Sequence, residues 1–126
     1  MHRDKLLESA TREARRFRHP YIRSEHLLLA IVPETPLERF VDYAQLAENV
    51  RALPRPTCAA DDKLILAKVA ERALIHAQKL AGDEKLTASH VLQALIHTSP
   101  IVRNILRQAD VKLEDLQATL EQEHAK

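Results

Sequence analysis

The chain has little of several residue types, and each scarcity excludes a class of protein. Only one of its 126 residues is glycine, so it cannot build the glycine-rich loop of a P-loop ATPase. The single cysteine, Cys58, excludes an internal disulfide framework and is typical of a reducing cytosol. Aromatic residues make up 3% of the chain, so a core must consist of Leu, Ile, Val and Ala.

Long apolar runs and a strong excess of charge are also absent. No run approaches the roughly 18–20 apolar residues of a membrane span, and the charged N-terminus is unlike a signal peptide. We therefore expect a cytoplasmic protein with no membrane partner. The net charge of +1 argues against a nucleic-acid binder that neutralises many phosphates. With 45% hydrophobic residues and one glycine, the composition favours an all-α protein.

The most informative pattern is a motif that occurs twice. Residues 23–32 (RSEHLLLAIV) and 87–96 (TASHVLQALI) both begin with polar residues, reach a histidine, and continue as a very apolar helix. The distance along the chain from His26 to His90 equals the distance between the two prolines that follow the motifs, Pro36 and Pro100. The chain is therefore predicted to contain one structural unit used twice.

Apolar residues at helical spacing predict four helices in each unit. Gly82 falls where the chain needs a left-handed turn to end a helix. The helix that starts at 58 or 61 is expected to have Thr57 or Asp61 as its cap, and Thr87 is the expected cap of the next helix. The third helix of the first unit is predicted to be shorter than its counterpart. The expected helices cover about residues 3–18, 24–32, 36–41 and 44–53, then 58 or 61 to 80, 87–97, 100–108 and 113–123.

These elements predict a single all-α domain over residues 1–126. Repeat one spans about 3–53, the stiff linker 54–57 (PRPT) follows, and repeat two spans about 58–123. Neither repeat has enough apolar surface to be stable alone. We therefore expect two pseudo-twofold four-helix repeats packed as one eight-helix bundle, with helix 3 of the first repeat shortened.

Over about residues 3–123, the chain resembles the Clp amino-terminal domain, the double repeat at the front of Clp-type AAA+ unfoldases. The resemblance rests on an A-x-x-x-A helix, the motif from Tyr21 to Ile31 (YIRSEHLLLAI), a proline-started helix and a closing helix, all repeated. It implies a non-enzymatic chaperone module without cofactor that binds proteins. Its expected partners are protein substrates or adaptors and a Clp-type ATPase or protease, as in proteolysis and the stress response.

The resemblance also suggests a ligand site at the first motif. In the branch of the family that reads phosphorylated arginine, the glutamate of this motif helps to bind the guanidinium, which places that role on Glu25 beside Ser24. A carboxylate at a helix start can accept from guanidinium N–H groups, while backbone amides and the hydroxyl hold phosphate. Ser89 replaces the glutamate in the second repeat, so at most one site is expected. Arg23 would attract a phosphate and repel a guanidinium.

Each of these candidates also has a plainer structural interpretation. Glu25 fits as an acid in the first turn of a helix. The symmetric His26 and His90 are most often structural, with one ring nitrogen bonded to backbone. No Cys/His spacing predicts a metal site. Cys58 has no adjacent base, and no triad pattern is visible, so we expect no enzymatic activity.

A docking surface is expected in one of two places. Arg12, Arg15 and Arg16 lie off the apolar stripe of the first helix, either as a solvated face or as a docking face for an acidic partner. A regulatory nucleic-acid-associated protein using this basic helix is an alternative function, and a sensor with a pocket between the repeats is another. The second place is either the junction between the repeats or a depression along the first helix, where the shortened third helix leaves room.

Overall fold

Helices form wherever apolar residues recur at helical spacing, and the predicted all-α fold class is confirmed. The computed structural model of the chain describes residues 3–59 and 61–124. Before the linker lie α1 (Arg3–Arg16), α2 (Ser24–Ile31) and α3 (Tyr43–Arg51). After it lie α4 (Lys68–Ala81), α5 (Ala88–Thr98), α6 (Pro100–Gln108) and α7 (Leu113–His124).

The third helix of the first repeat departs from the expected regular repeat. Two short 3-10 turns, Val32–Glu34 and Pro36–Arg39, follow α2 where an α-helix was predicted over 36–41. Pro33 lacks the N–H group that would continue α2. Pro36 stands at the first position of the second turn, where an α-helix needs no N–H group, as Pro100 shows at the start of α6. Thr35 begins the second turn by accepting a hydrogen bond from the backbone N–H of Leu37, at 3.3 Å. Over the described residues the fold therefore has seven α-helices, where an eight-helix bundle was expected.

The predicted helix start at residue 58 or 61 is wrong, because α4 begins at Lys68. Residues Ile65–Leu66 form instead a strand, β2, that pairs in parallel with β1, Tyr21–Ile22. The backbone N–H of Ile65 donates to the carbonyl of Pro20 at 3.1 Å, and that of Ala67 to Ile22 at 2.9 Å. The partner strand lies far away in sequence, so helical periodicity could not reveal it.

Two helices of the described chain end through a left-handed residue that is not glycine. After α1, Arg18 has a φ of 57°, and the N–H of His19 bonds the carbonyl of Ala14 at 2.9 Å. Asp110 has a φ of 62° after α6. This closure satisfies carbonyls at the helix end and usually employs glycine. At the end of α4, Gly82 has the predicted positive φ, 59°, with a ψ of −123°.

The two motif helices, α2 and α5, lie at the centre of the molecule. Every α2 residue except Ala30 is buried. α1 packs on α2, α4 packs on α5, and α2 packs on α5. Both halves contribute to one hydrophobic core, and α3, α6 and α7 add Leu46, Leu106 and Leu116. No helix in the described ranges combines the length and the apolar character needed to cross a bilayer.

Candidate functional site: the polar cluster at the start of helix α2

Polar side chains are buried together where α2 begins. Ser24, Glu25 and His26 have no exposed surface, and His19 is nearly as buried. Arg55, from the linker, reaches the same place. We call these five residues the α2 cluster. Since a buried polar group is unfavourable unless it is paired, the partners of each side chain define what the cluster does.

His26 caps its own helix. Its Nδ1 accepts a hydrogen bond from the backbone N–H of Arg23 at 2.9 Å. In the second repeat, Nδ1 of His90 accepts from the N–H of Thr87 at 3.1 Å. Both histidines thus stand where glutamate or glutamine stands in a capping box, three residues after the cap. The predicted hydrogen bond between one ring nitrogen and the backbone is confirmed for both histidines.

A second imidazole continues this hydrogen-bond chain. Nε2 of His26 lies 2.9 Å from Nδ1 of His19, and the ring of Phe17 stacks on His19 with centroids 5.4 Å apart. Because Nδ1 of His26 accepts from backbone, the neutral ring carries its proton on Nε2 and donates it to His19. His19 was not among the predicted site residues. Its contact with His26 depends on the left-handed turn after α1, which no local pattern indicated.

Burial keeps both imidazoles neutral. Desolvation, followed by repulsion from the protonated form of His19 and from Arg55 and Arg23, lowers the pKa of His26 to about 3. Desolvation also lowers the pKa of His19, an effect that the negative charge of Glu25 partly opposes. The cap of α2 therefore depends on two rings that do not take up protons near neutral pH.

Glu25 is paired inside the protein. Its Oε1 accepts a hydrogen bond from Nε of Arg55 at 3.0 Å, and the exposed fractions of the two side chains are 0% and 15%. Oε2 of Glu25 and Nη2 of Arg55 are buried and have no hydrogen-bond partner among the described residues. The sequence does not indicate Arg55 as a site residue, because the two prolines beside it predict only a stiff linker.

Ser24 connects the two repeats. Its Oγ lies 2.8 Å from Oγ of Ser99, and that second hydroxyl also accepts from the backbone N–H of Val102 at the start of α6. The guanidinium of Arg23 lies over the ring of Tyr21, 5.2 Å from its centroid. Ser89 is buried at the start of α5, at the place corresponding to Glu25. The predicted binding roles of Arg23, Ser24, Glu25 and Ser89 stay predictions.

The predicted docking residues of α1 are three exposed arginines that make contacts within the chain. Arg12 donates to Oγ of Ser9, and Arg15 donates to the backbone carbonyl of Asp62, both at 3.1 Å. Arg16 donates to the hydroxyl of Tyr43 at 2.6 Å. Burial, followed by a hydrogen bond from this hydroxyl to a glutamate of α1, raises the pKa of Tyr43 to about 12. The docking role of Arg12, Arg15 and Arg16 stays a prediction.

The depression expected beside the shortened third helix is present. Two concavities of about 290 and 310 Å³ lie along α1 and share Ser9, Arg12 and Ala30. Glu34 borders the first concavity, and Glu38, from the second 3-10 turn, borders the other. We call these two concavities the α1 groove. Elsewhere, the described residues contain no group of three or more His, Cys, Asp or Glu side chains arranged to hold a metal ion.

The chain resembles known proteins in its fold. No family model and no curated protein matches it. Solved structures do match, and the chain has the fold of the N-terminal domains of Clp and Hsp104 chaperones. The predicted resemblance is confirmed at the level of the fold.

Three of these structures define the likeness. The N-terminal domain of the chaperone ClpD from Arabidopsis thaliana superimposes with a TM-score of 0.79 at 13% identity, covering 95% of this chain and 92% of that one. The Hsp104 N-terminal domain from Candida albicans superimposes with a TM-score of 0.74 at 20% identity, covering 93% of this chain and 85% of that one. A chain from a study of the ATPase ClpV and type VI secretion superimposes with a TM-score of 0.61 at 21% identity, covering 94% of this chain and 83% of that one.

Proposed function

We propose that the chain is a non-enzymatic protein-binding module that presents substrates or adaptor proteins to a Clp-type AAA+ unfoldase or protease. The observation that carries this proposal is the Clp N-terminal fold together with an open groove on its surface. Its neighbours in fold include the N-terminal domain of a caseinolytic-protease-associated chaperone. A module that holds a client beside the ring raises the local concentration of the client at the pore without doing chemistry.

The α1 groove has the mixed surface that a transient partner needs. Its floor includes the buried side chains of Leu6, Leu29 and Val32. Its charged lining contains more acidic than basic residues, so a basic segment with apolar side chains fits it best. The charged residues are Glu8, Glu13, Glu34, Glu38, Lys5 and Arg12.

Filling the groove tests this proposal. Ala30 lines both concavities and is the one α2 residue that is not buried, so Ala30→Trp should fill the groove with little change to the core. The matched control is Ala52→Trp, at the exposed end of α3. The probes are labelled peptides of equal apolar content with basic, neutral or acidic net charge, measured by fluorescence anisotropy.

We expect the basic peptide to bind most tightly, and Ala30→Trp to weaken its binding about tenfold, or about 1.4 kcal/mol. Ala52→Trp should bind like the native chain. If both variants bind the basic peptide equally, the α1 groove is not the binding surface. A pull-down that recovers no Clp-type ATPase, protease subunit or unfolded client would contradict the proposed module as a whole.

A second candidate function, the reading of arginine or phosphoarginine side chains, is favoured by one observation. A guanidinium already occupies Glu25, with Nε of Arg55 at 3.0 Å from the carboxylate. An external arginine could make the same contact, and the start of α2 is favourable for a phosphate group. The test is a thermal shift with phosphoarginine. We expect a rise in the Tm of the native chain that Glu25→Gln abolishes, and no rise in either protein would exclude this candidate.

A further inference from the structure

Arg55 is presented to Glu25 by a segment with few attachments of its own. Residues 54–59 form no helix or strand. Pro54 and Pro56 on either side of Arg55 restrict its backbone to extended conformations. The backbone N–H of Cys58 donates to the carbonyl of Arg18 at 2.7 Å, which ties the far end of the segment to the turn after α1. The side chain of Arg55 therefore enters the α2 cluster from residues 54–58, which we call the strap.

The contact between Arg55 and Glu25 is one hydrogen bond short of the strongest arrangement. A guanidinium approaching sideways pairs Nε with one carboxylate oxygen and a terminal nitrogen with the other. Here the Nε bond is made, while Nη2 of Arg55 and Oε2 of Glu25, the atoms that would form the second bond, are buried without partners among the described residues. The internal arginine satisfies the carboxylate only in part. A guanidinium without a linker attached is free to adopt the full fork.

No other group in the α2 cluster can replace Arg55 as the cation. His19 and His26 are neutral, because burial lowers the pKa of each. Arg23 lies over Tyr21. A carboxylate with no exposed surface cannot be left unpaired at low energy, so Glu25 retains Arg55 until another cation arrives. Guanidinium is the cation that suits this site, because it is planar and weakly hydrated.

We propose that Arg55 is an internal competitor, and that the strap 54–58 closes the Glu25 site until the arginine side chain of an extended peptide displaces it. The proposal rests on the arginine-reading function described above as the second candidate. It assigns to the linker a regulatory role in addition to joining the two repeats. Only the fraction of molecules with Arg55 withdrawn would bind ligand, so the apparent affinity is reduced by that fraction.

Removing the competitor tests the proposal. In Arg55→Ala we expect L-argininamide to bind at least about tenfold more tightly than to the native chain, as measured by calorimetric titration, and to raise the Tm. L-lysinamide, which has the same charge but no fork, is the control ligand and should have little effect. The double variant Glu25→Gln/Arg55→Ala is the control protein and should not respond.

The possible results separate the proposal from the function on which it rests. If the native chain and Arg55→Ala bind argininamide with equal affinity, the ligand binds at the site but Arg55 does not compete with it, and the proposal is overturned. Absence of binding to both would overturn the site and the competition together, and would leave the α1 groove unaffected. A response of the double variant would show that Glu25 is not the site.

A measurement on the native chain covers the case in which Arg55→Ala does not fold. The Nε–H group of Arg55 donates to Glu25 from a side chain that is 15% exposed, so it should give a protected signal in arginine-selective NMR spectra. Argininamide should release this signal from protection in proportion to binding. A signal that stays protected at saturating ligand would overturn the proposal.

Discussion

At the residue scale, the start of α2 depends on two histidines that must stay neutral. His26 accepts the N–H of Arg23 and donates to His19, and neither bond survives if the accepting nitrogen is protonated. In the unfolded chain a histidine takes up its proton near pH 6.5, whereas in the folded chain the pKa of His26 is about 3. Between about pH 6.5 and 3, the unfolded state therefore binds a proton at His26 that the folded state does not bind.

The first prediction follows from this difference. The contribution of His26 to stability is fully present above about pH 6.5 and is lost as the pH falls toward 3. The free energy of unfolding should then drop by about 1.4 kcal/mol per pH unit for this residue. His26→Gln keeps an acceptor for the cap and cannot titrate, so its stability should fall less steeply between pH 7.5 and 5. Urea unfolding at each pH measures both slopes, and parallel slopes would contradict the assignment.

The second prediction concerns the buried ion pair. Arg55→Leu leaves the carboxylate of Glu25 buried and unpaired, and should cost about 3–5 kcal/mol of unfolding free energy. Replacing both residues by leucine removes the charges together and should cost clearly less than the sum of the single changes. Urea unfolding of the native chain, both single variants and the double variant gives the coupling. Additive effects would show that the two side chains do not depend on each other.

At the element scale, the two repeats begin their motif helices with the same device but with different cap residues. Thr87 accepts the backbone N–H of His90 through its own hydroxyl at 3.3 Å and was predicted as the cap from sequence. Arg23, at the equivalent position, has no side chain that can accept, so the cap of α2 relies on His26. A third expected cap, Thr57 or Asp61 for the following helix, is wrong, because α4 begins after Ala67.

The third prediction compares two threonines. Thr87→Ala should destabilise the protein by about 0.5–2 kcal/mol, because it removes the cap of α5. Thr57→Ala, in the exposed linker, is the matched control and should change stability by less than about 0.5 kcal/mol. Chemical denaturation measures both. Equal effects would show that the cap of α5 contributes nothing specific.

The fourth prediction concerns the end of α4. Gly82 has a φ of 59° and a ψ of −123°, a conformation that side chains disfavour, and a Cβ atom there would meet nothing within 4 Å. The effect of Gly82→Ala is therefore backbone strain alone, about 1–3 kcal/mol. The neighbouring exposed Asp83→Ala should have a small effect. A neutral Gly82→Ala would mean that the turn changes its conformation to accept the substitution.

At the scale of the whole molecule, both repeats contribute to one core and are joined by the hydrogen bond between Ser24 and Ser99. The division into repeat one, about 3–53, linker 54–57 and repeat two, about 58–123, stays a prediction. Each repeat buries one face of its motif helix against the other, because α2 packs on α5. An isolated repeat would expose that face to water.

The fifth prediction is that the chain unfolds as one unit. Differential scanning calorimetry should show a single transition with equal calorimetric and van't Hoff enthalpies. Fragments 1–57 and 58–126, prepared separately, should show little helix by circular dichroism. Two resolved transitions, or one fragment folded alone, would divide the chain into independent domains.

The recurrence of the motif around His26 and His90, the helical stripes and the cap at Thr87 were determined by the sequence alone. These features arise within one element or from a repeated pattern, so residue spacing and local bonding are enough to predict them. The left-handed turn at Arg18 shows where such rules stop, because a position that usually takes glycine carries an arginine here.

Only the tertiary structure decided which distant residues meet. In the fold, Tyr21 pairs with Ile65 and His19 contacts His26. Arg55, from the linker, bonds to Glu25. The α1 groove lies open beside the two 3-10 turns. Each of these contacts depends on how a loop directs the chain after a helix ends, and helical spacing contains no information about that direction. Only part of the candidate site could therefore be predicted: the sequence indicated Ser24 and Glu25, whereas only the fold identified the residues that bond to them.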